Sequence, residues 1–212
     1  MAISDAVKLK VYNEAAALLK EARFASLTET RELRYRFDDA WDAQPGVVIR
    51  ALEKGQWHFA ERTSETTYDP DITPSFGYTY AIEKPSDLVR LTGICSDEFL
   101  KHTIDYRDAG AHWLCNLDTV YLGYVSSDGS YGFDPTLWPA SFSEVVEATL
   151  ALKGAPTTAS EEVIERVTFQ LNRALADAVS RNAMASPQKF SPPGSWARSR
   201  AGADRKFDPI RR

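Results

Sequence analysis

Residues 76–95 read FGYTYAIEKPSDLVRLTGIC, and this stretch decides the fold class. Phe76, Tyr78, Tyr80 and Ile82 alternate with smaller residues, the two-residue period of a strand with one buried face. Glu83-Lys84-Pro85-Ser86-Asp87 then interrupts with turn formers, and Leu88, Val89, Leu91 and Ile94 resume extended chain. Nothing of helix length separates the two runs, so antiparallel pairing is expected. Outward from here, the same character reaches back to Trp57 and Phe59. It runs forward through Phe99 to Tyr106, Ala111 to Leu117 and Thr119 to Val125. DPDITPS (69–75), RDAG (107–110) and SSDGSYG (126–132) read as the turns between these runs.

Helical spacing holds on both sides. Upstream, Ser4 stands where a cap belongs, and Val7, Val11, Ala15, Leu18 and Ala22 recur at three and four residues, predicting a helix over 4–22. A second pattern from Glu29 to Lys54 carries Leu33, Phe37, Ala40, Trp41, Val48 and Leu52 on one side. Pro45-Gly46 interrupts it, which predicts a kink or two separate helices, and Gly55 closes the element. Downstream of Asp134-Pro135, a third helix carries Leu137, Phe142, Val145, Val146, Thr149, Leu150 and Leu152 and stops at Gly154-Ala155-Pro156. Thr158 and Glu161 form a capping-box pattern for a fourth, with Ile164, Val167, Leu171, Ala174, Leu175, Ala178 and Val179, fading by Ala185. The expectation is an α+β chain: a four-helix body from residues 1–56 and 134–186, a β-rich antiparallel insertion over 57–133, and an extended C-terminal arm over 187–212.

At 212 residues the chain is long enough for a real core, and 43% hydrophobic with 26% charged residues is ordinary for a globular protein. No apolar run approaches the ~20 residues of a membrane helix. The N-terminus, MAISDAVKLK, has no apolar secretory core, so folding in a cytoplasm is expected. Cys95 and Cys115 make no disulfide framework and read as small buried core residues.

The net charge of −5 hides an asymmetry. Residues 187–212 hold seven basic side chains and two acids, a balance of +5, which leaves −10 on the body. From Ser186 the tail reads SPQKFSPPGSWARSRAGADRKFDPIRR. It is too rich in Pro, Gly and Arg to pack alone, yet it carries Phe190, Trp196 and Phe207. Such a segment reads as an arm that docks elsewhere, with Phe190, Pro192, Pro193, Trp196, Arg198, Arg200 and Phe207 as its candidate contacts. Trp196 is the expected insert into a partner pocket.

Catalytic and cofactor signatures are not found. His58, His102 and His112 are the only histidines, and positions 112 and 115 of a strand face opposite ways, so His112-x-x-Cys115 with Cys95 is no metal site. Asp69, Asp71, Asp105, Asp108, Asp128 and Asp134 fall mostly in turns, where aspartate serves local backbone bonds. Asp69-Pro70-Asp71 lacks the Gly and distal Glu of a calcium loop. There is no nucleophile elbow, Walker loop or Gly-rich dinucleotide turn. Trp41, Trp57, Trp113 and Trp138 read as core or subunit contacts. No enzyme activity, cofactor or metal is expected.

Several segments in order resemble the head-to-tail adaptor proteins of tailed bacteriophages, known in short-tailed phages as tail tubular protein A, gatekeeper or neck proteins. These are the opening helix from Asn13-Glu14 to Leu19, the exit Leu52-Glu53-Lys54-Gly55-Gln56-Trp57-His58-Phe59-Ala60, the strand Tyr78-Thr79-Tyr80-Ala81, the turn Pro85-Ser86-Asp87-Leu88-Val89-Arg90, and Phe133-Asp134-Pro135 leading to Phe142. Lys84 departs from the family, which tends to carry an apolar residue before this proline, and Pro45-Gly46 breaks a helix usually uninterrupted. The resemblance implies a ring, commonly of about twelve subunits, under the portal of a filled capsid. The partners it implies are the portal, a tail, nozzle or stopper protein below, and genomic double-stranded DNA passing through the lumen without sequence-specific contacts. No membrane is involved, and the location is the virion neck after assembly in the host cytoplasm. The C-terminal arm reaches the portal in that picture. An acidic body suits a channel along which phosphate must slide. Two other functions fit parts of the sequence: a glycan hydrolase using acidic residues of the β insertion, and a nucleic-acid-binding module using the basic arm.

Overall fold

The order of elements is helices, strands, helices, and the fold is α+β. A computed structural model of the chain describes residues 4–74, 76–155 and 159–185. Helices α1 (Asp5–Leu18), α2 (Glu32–Asp42) and α3 (Val47–Leu52) lead into a 3₁₀ turn at His58–Ala60. Strands β1 (Glu61–Thr67), β2 (Tyr80–Glu83), β3 (Leu88–Cys95), β4 (Arg107–Ala109), β5 (His112–Cys115) and β6 (Thr119–Ser126) follow. Helices α4 (Ala140–Gly154) and α5 (Glu161–Ala185) complete the described chain.

The expected four-helix body is replaced by five helices among the described residues. Proline lacks the N–H that a continuing helix needs, and of the two expectations, a kink or two separate helices, the second holds: the segment divides at Pro45 into α2 and α3. Gly46 is required there, because a Cβ would stand 2.5 Å from the Trp41 carbonyl oxygen. Ser4 occupies the cap position of α1 without a side-chain hydrogen bond. Its carbonyl accepts from Val7 and Lys8 instead. Thr158 lies outside the described residues, and the first turn of α5 is closed on the Ser160 carbonyl.

Helix α4 is the axis of the helical part, with α1, α2, α3 and α5 all packed on it. Phe142, Val145, Val146, Ala148, Thr149, Leu150, Ala151 and Gly154 are buried, so apolar residues cover most of its circumference, as burial on several sides demands. Tyr12, Phe24, Phe37 and Trp41 meet edge to face between α1 and α2. The buried Tyr12 hydroxyl donates to Asp38 at 2.8 Å, and Lys8 and Arg34 also pair with that carboxylate.

The strands form two three-stranded antiparallel sheets, in orders β1-β6-β3 and β2-β5-β4. Between them Ile82, Trp113 and Cys115 of one sheet meet Ile94, Val120, Leu122 and Tyr124 of the other. Strand β6 is central in its sheet. Its far end alternates, but Gly123 to Ser126 are all buried, because Val125 turns from the inter-sheet core into the helical core. That double burial joins the two parts of the molecule.

Several strand expectations differ from what forms. Trp57 and Phe59 belong to the 3₁₀ turn and the helical core, where the Trp57 indole N–H lies 3.1 Å from the carbonyls of both Ala51 and Leu52. Phe76 and Tyr78 precede β2 in a loop. Phe99 to Tyr106 is likewise loop, apart from a single bridge between Thr103 and Cys95. The RDAG stretch supplies β4, with Gly110 at φ +71 making the turn into β5. Strand β1, ERTSETT, carries no aliphatic or aromatic residue, so no apolar alternation announces it.

Candidate functional site

Polar contacts gather at two places, among the strands and where the strands meet the helices. The first is organised by Asp87, in the loop from β2 to β3. Its carboxylate accepts from Arg62 Nη1 of β1 at 2.9 Å, from Ser126 Oγ at 2.5 Å and from the Tyr124 hydroxyl at 3.2 Å, both on β6. Its backbone carbonyl accepts from the Ser127 N–H at 2.8 Å. Burial works to raise the Asp87 pKa, but the hydrogen bonds from Ser126 and Arg62 outweigh it and hold the carboxyl below the usual range. Arg62 is driven the other way, chiefly by its bond to Asp87. A carboxylate so ionised and so fully engaged is suited to fixing strands, not to passing protons.

Three residues on, Arg90 Nη1 donates to the Glu53 carbonyl at 3.2 Å, tying β3 to the end of α3. Asn182 of α5 grips the same junction: its Oδ1 accepts from the His58 N–H at 3.0 Å, and its Nδ2 donates to the Gln56 carbonyl. Arg166 of α5 donates to the Leu18 carbonyl at 2.7 Å and closes the end of α1. Lys84, just before Pro85, reaches both oxygens of Asp108 at 2.7 and 2.8 Å and lies over the Trp113 ring.

Four of the six aspartates singled out in the sequence behave as turn formers. Asp69, Asp108, Asp128 and Asp134 each accept from a backbone N–H two residues on, at Asp71, Gly110, Ser130 and Thr136. Asp69 also stands 3.5 Å from His112 Nε2. Cys95 and Cys115 are buried, free thiols, and burial pushes both pKa values up. Among the described residues, no group of three or more His, Cys, Asp or Glu side chains is placed to hold a metal ion. None of their helices is long and apolar enough to cross a membrane. Trp57, Trp113 and Trp138 are core, and Trp41 packs against it.

The arm contacts read from sequence (Phe190, Pro192, Pro193, Trp196, Arg198, Arg200, Phe207) lie outside the described residues. On the described surface, exposed aromatics stand out. Phe76 is 80% exposed and Phe99 is 68% exposed. They sit in the loops after β1 and β3, which leave their sheet at the end opposite the Glu61–Val125 pair and therefore away from the helices. Phe169, on α5, is 68% exposed.

Two clefts flank α4. One, of about 520 Å³, lies between α1, α4 and α5, with Leu18, Ala148 and Ala174 beside Glu144 and Glu147. Burial first, then the neighbouring Glu14 and Glu144, push the Glu147 pKa up to about 7, with Lys10 opposing. The other, of about 270 Å³, lies between α2, α3 and the end of α4 and is lined by Arg36, Arg50 and Lys153 with Asp39. Lys54, whose pKa is lowered by burial and then by Lys153, stands near it. Sequence reasoning did not find Asp87, Asn182 or Glu147 as organising residues. The only available signal was Asp87 within its Pro-Ser-Asp turn.

No protein-family model matches the chain, and no curated protein matches it.

Proposed function

We propose that this chain is a structural virion protein, a head-to-tail adaptor that forms a ring beneath the portal, extends the DNA channel and offers a platform for tail proteins. The observation that carries the reading is where the residues of the resemblance sit. Trp57 packs on the end of α3, Arg90 ties β3 to that same end, and Asp87 ties the loop from β2 to β3 to β1 and β6. Motifs of an enzyme converge on a cavity where a substrate reacts. These motifs join one element to the next, which suits a protein whose work is to hold a shape between neighbours.

The rest is consistent with assembly. Closing a ring requires two unlike faces of each subunit to meet repeatedly. The exposed Phe76 and Phe99 offer a docking end remote from the helices, in keeping with a tail platform. The basic arm engages the portal, and its ordering cost of ~1–2 kcal/mol per residue is offset by the aromatic anchors and arginine–carboxylate pairs.

Deletion of residues 187–212 tests this. The truncated chain is expected to keep the circular dichroism of the parent and to fail to join portal-bearing heads. Normal head attachment by the truncated protein overturns the role of the arm.

A further inference from the structure

Resting on the reading of residues 187–212 as a docking arm, we infer where that arm lies before a portal takes it: on the outer face of the β1-β6-β3 sheet of its own subunit. Strand alternation sets the face. Arg62, Ser64 and Thr66 stand opposite Tyr124, Leu122 and Val120, which look toward the second sheet. Glu61, Thr63 and Glu65, opposite Val125, Gly123 and Tyr121, therefore look the other way. At its helical end this face meets the helical core through Val125. Farther out, the loop after β3 folds back over it. A Cβ at Gly123 would stand 3.3 Å from Leu100 Cδ1 and 4.0 Å from Glu61 Oε1. Phe99, next to Leu100, is left 68% exposed.

Carboxylates outnumber cations on this face and its loop. Glu61, Glu65, Asp97 and Glu98 stand against Arg90 and Lys101. Arg90, across from Val125, turns to the Glu53 carbonyl at 3.2 Å, and Lys101 lies 5.2 Å over the Phe99 ring. His58 approaches Glu61 at 3.3 Å, and His102 approaches Asp97 at 3.2 Å. Asp97 also accepts from the backbone N–H groups of Lys101 and His102. Glu65 and Glu98 enter no ion pair among the described residues. Glu65 accepts from the Tyr121 hydroxyl at 3.4 Å. Glu98 is close enough to add to the effect of Glu65 in raising the Tyr121 pKa. These two carboxylates flank the Phe99 end of the face with no cation of their own.

Charge and tether choose the occupant. Duplex DNA, an anionic lipid surface and the same face of a second copy all carry the sign that this face repels. Residues 187–212 carry a balance of +5 together with Phe190, Trp196 and Phe207. They suit both the carboxylates and the exposed Phe99 ring. They also start in the right place. Asn182, within one turn of the end of α5 at Ala185, accepts from the His58 N–H at 3.0 Å, and His58 in turn reaches Glu61. The arm is thus tethered beside the helical end of the face. Eleven residues lead from Ala185 to Trp196, an extended reach of about 36 Å, whereas Glu61 to Glu65 spans about 13 Å. Such a tether holds the arm near the face at an effective concentration of about millimolar. The attraction weakens with salt. A seated arm covers Phe99, one of the two aromatics of the proposed tail platform, so capture of the arm by a portal uncovers that platform.

The test is brief trypsin digestion of the full chain in dilute solution. Mass spectrometry reads the first cuts at Arg198 and Arg200, relative to a free peptide of residues 187–212 in the same buffer. At low salt the parent is expected to be cut about tenfold more slowly than the peptide, and at about 0.5 M salt at the same rate. Glu65→Lys combined with Glu98→Lys, and separately Phe99→Ala, are each expected to be cut close to the peptide rate at low salt while keeping the circular dichroism of the parent. A parent cut as fast as the peptide at low salt overturns the resting place, and the portal-docking reading then stands or falls on head attachment alone. Protection that both variants keep overturns the choice of this face. Protection that rises with protein concentration assigns the arm to another copy and overturns the contact within one subunit.

Discussion

Glu147 and Asp87 are two carboxylates that folding treats oppositely. Asp87 is given more hydrogen bonds than burial takes away, whereas Glu147 is withdrawn from water beside two like charges. A pKa raised from 4.5 to about 7 means the folded state holds that proton more tightly than the unfolded chain does. The associated stability is fully present below about pH 4.5 and is lost as pH rises through about 7. The shift corresponds to about 3 kcal/mol, which partial exposure reduces to about 1–2 kcal/mol. Glu147→Gln is therefore expected to exceed the parent by about that amount at pH 8.5 and to show no advantage at pH 4, in urea titrations on dilute, monomeric protein. An unchanged midpoint at pH 8.5 contradicts this. Neither residue was legible in the sequence as an organising group. An aspartate in Pro-Ser-Asp reads as a turn former, and a glutamate among alanines and valines reads as the wet side of a helix.

Among the elements, α4 approaches α2 closely at Gly154. A Cβ added at Gly154 would fall on the Phe37 ring, which is fully buried and enclosed by Tyr12 and Phe24. Gly154→Ala is thus expected to destabilise the chain by about 1–3 kcal/mol despite alanine's better helix propensity. Thermal unfolding measures it, and a midpoint equal to that of the parent shows that α2 yields freely. The helices were largely readable because their buried positions recur at helical spacing, as Val11, Tyr12, Ala15 and Ala16 do. The division at Pro45 was readable as a break, since proline cannot continue a helix, though not as a choice between kink and separation. Strand β1 was not readable: Arg62, Ser64 and Thr66 pair across from Tyr124, Leu122 and Val120, so its neighbour supplies the apolar partners. Phe99 misled for the complementary reason, its ring standing in water on a loop where it imitates a strand residue.

For the whole molecule, the α+β class followed from where the period changes from helical to alternating, near Trp57 and again near Pro135. The site was less legible, because its partners lie far apart in sequence: Gln56 meets Asn182, Arg90 meets Glu53 and Asp87 meets Ser126 only once the chain has packed. The molecule combines an acidic body charge, exposed aromatics at the far end of one sheet, and a basic C-terminal sequence. The most direct measurement of the proposed adaptor role is negative-stain imaging of the full chain mixed with a purified portal protein of a tailed phage. Stacked annuli, one ring of this chain seated on each portal, are expected. Bare portals beside solitary small particles, at concentrations well above micromolar, contradict the claim that this protein works by assembly.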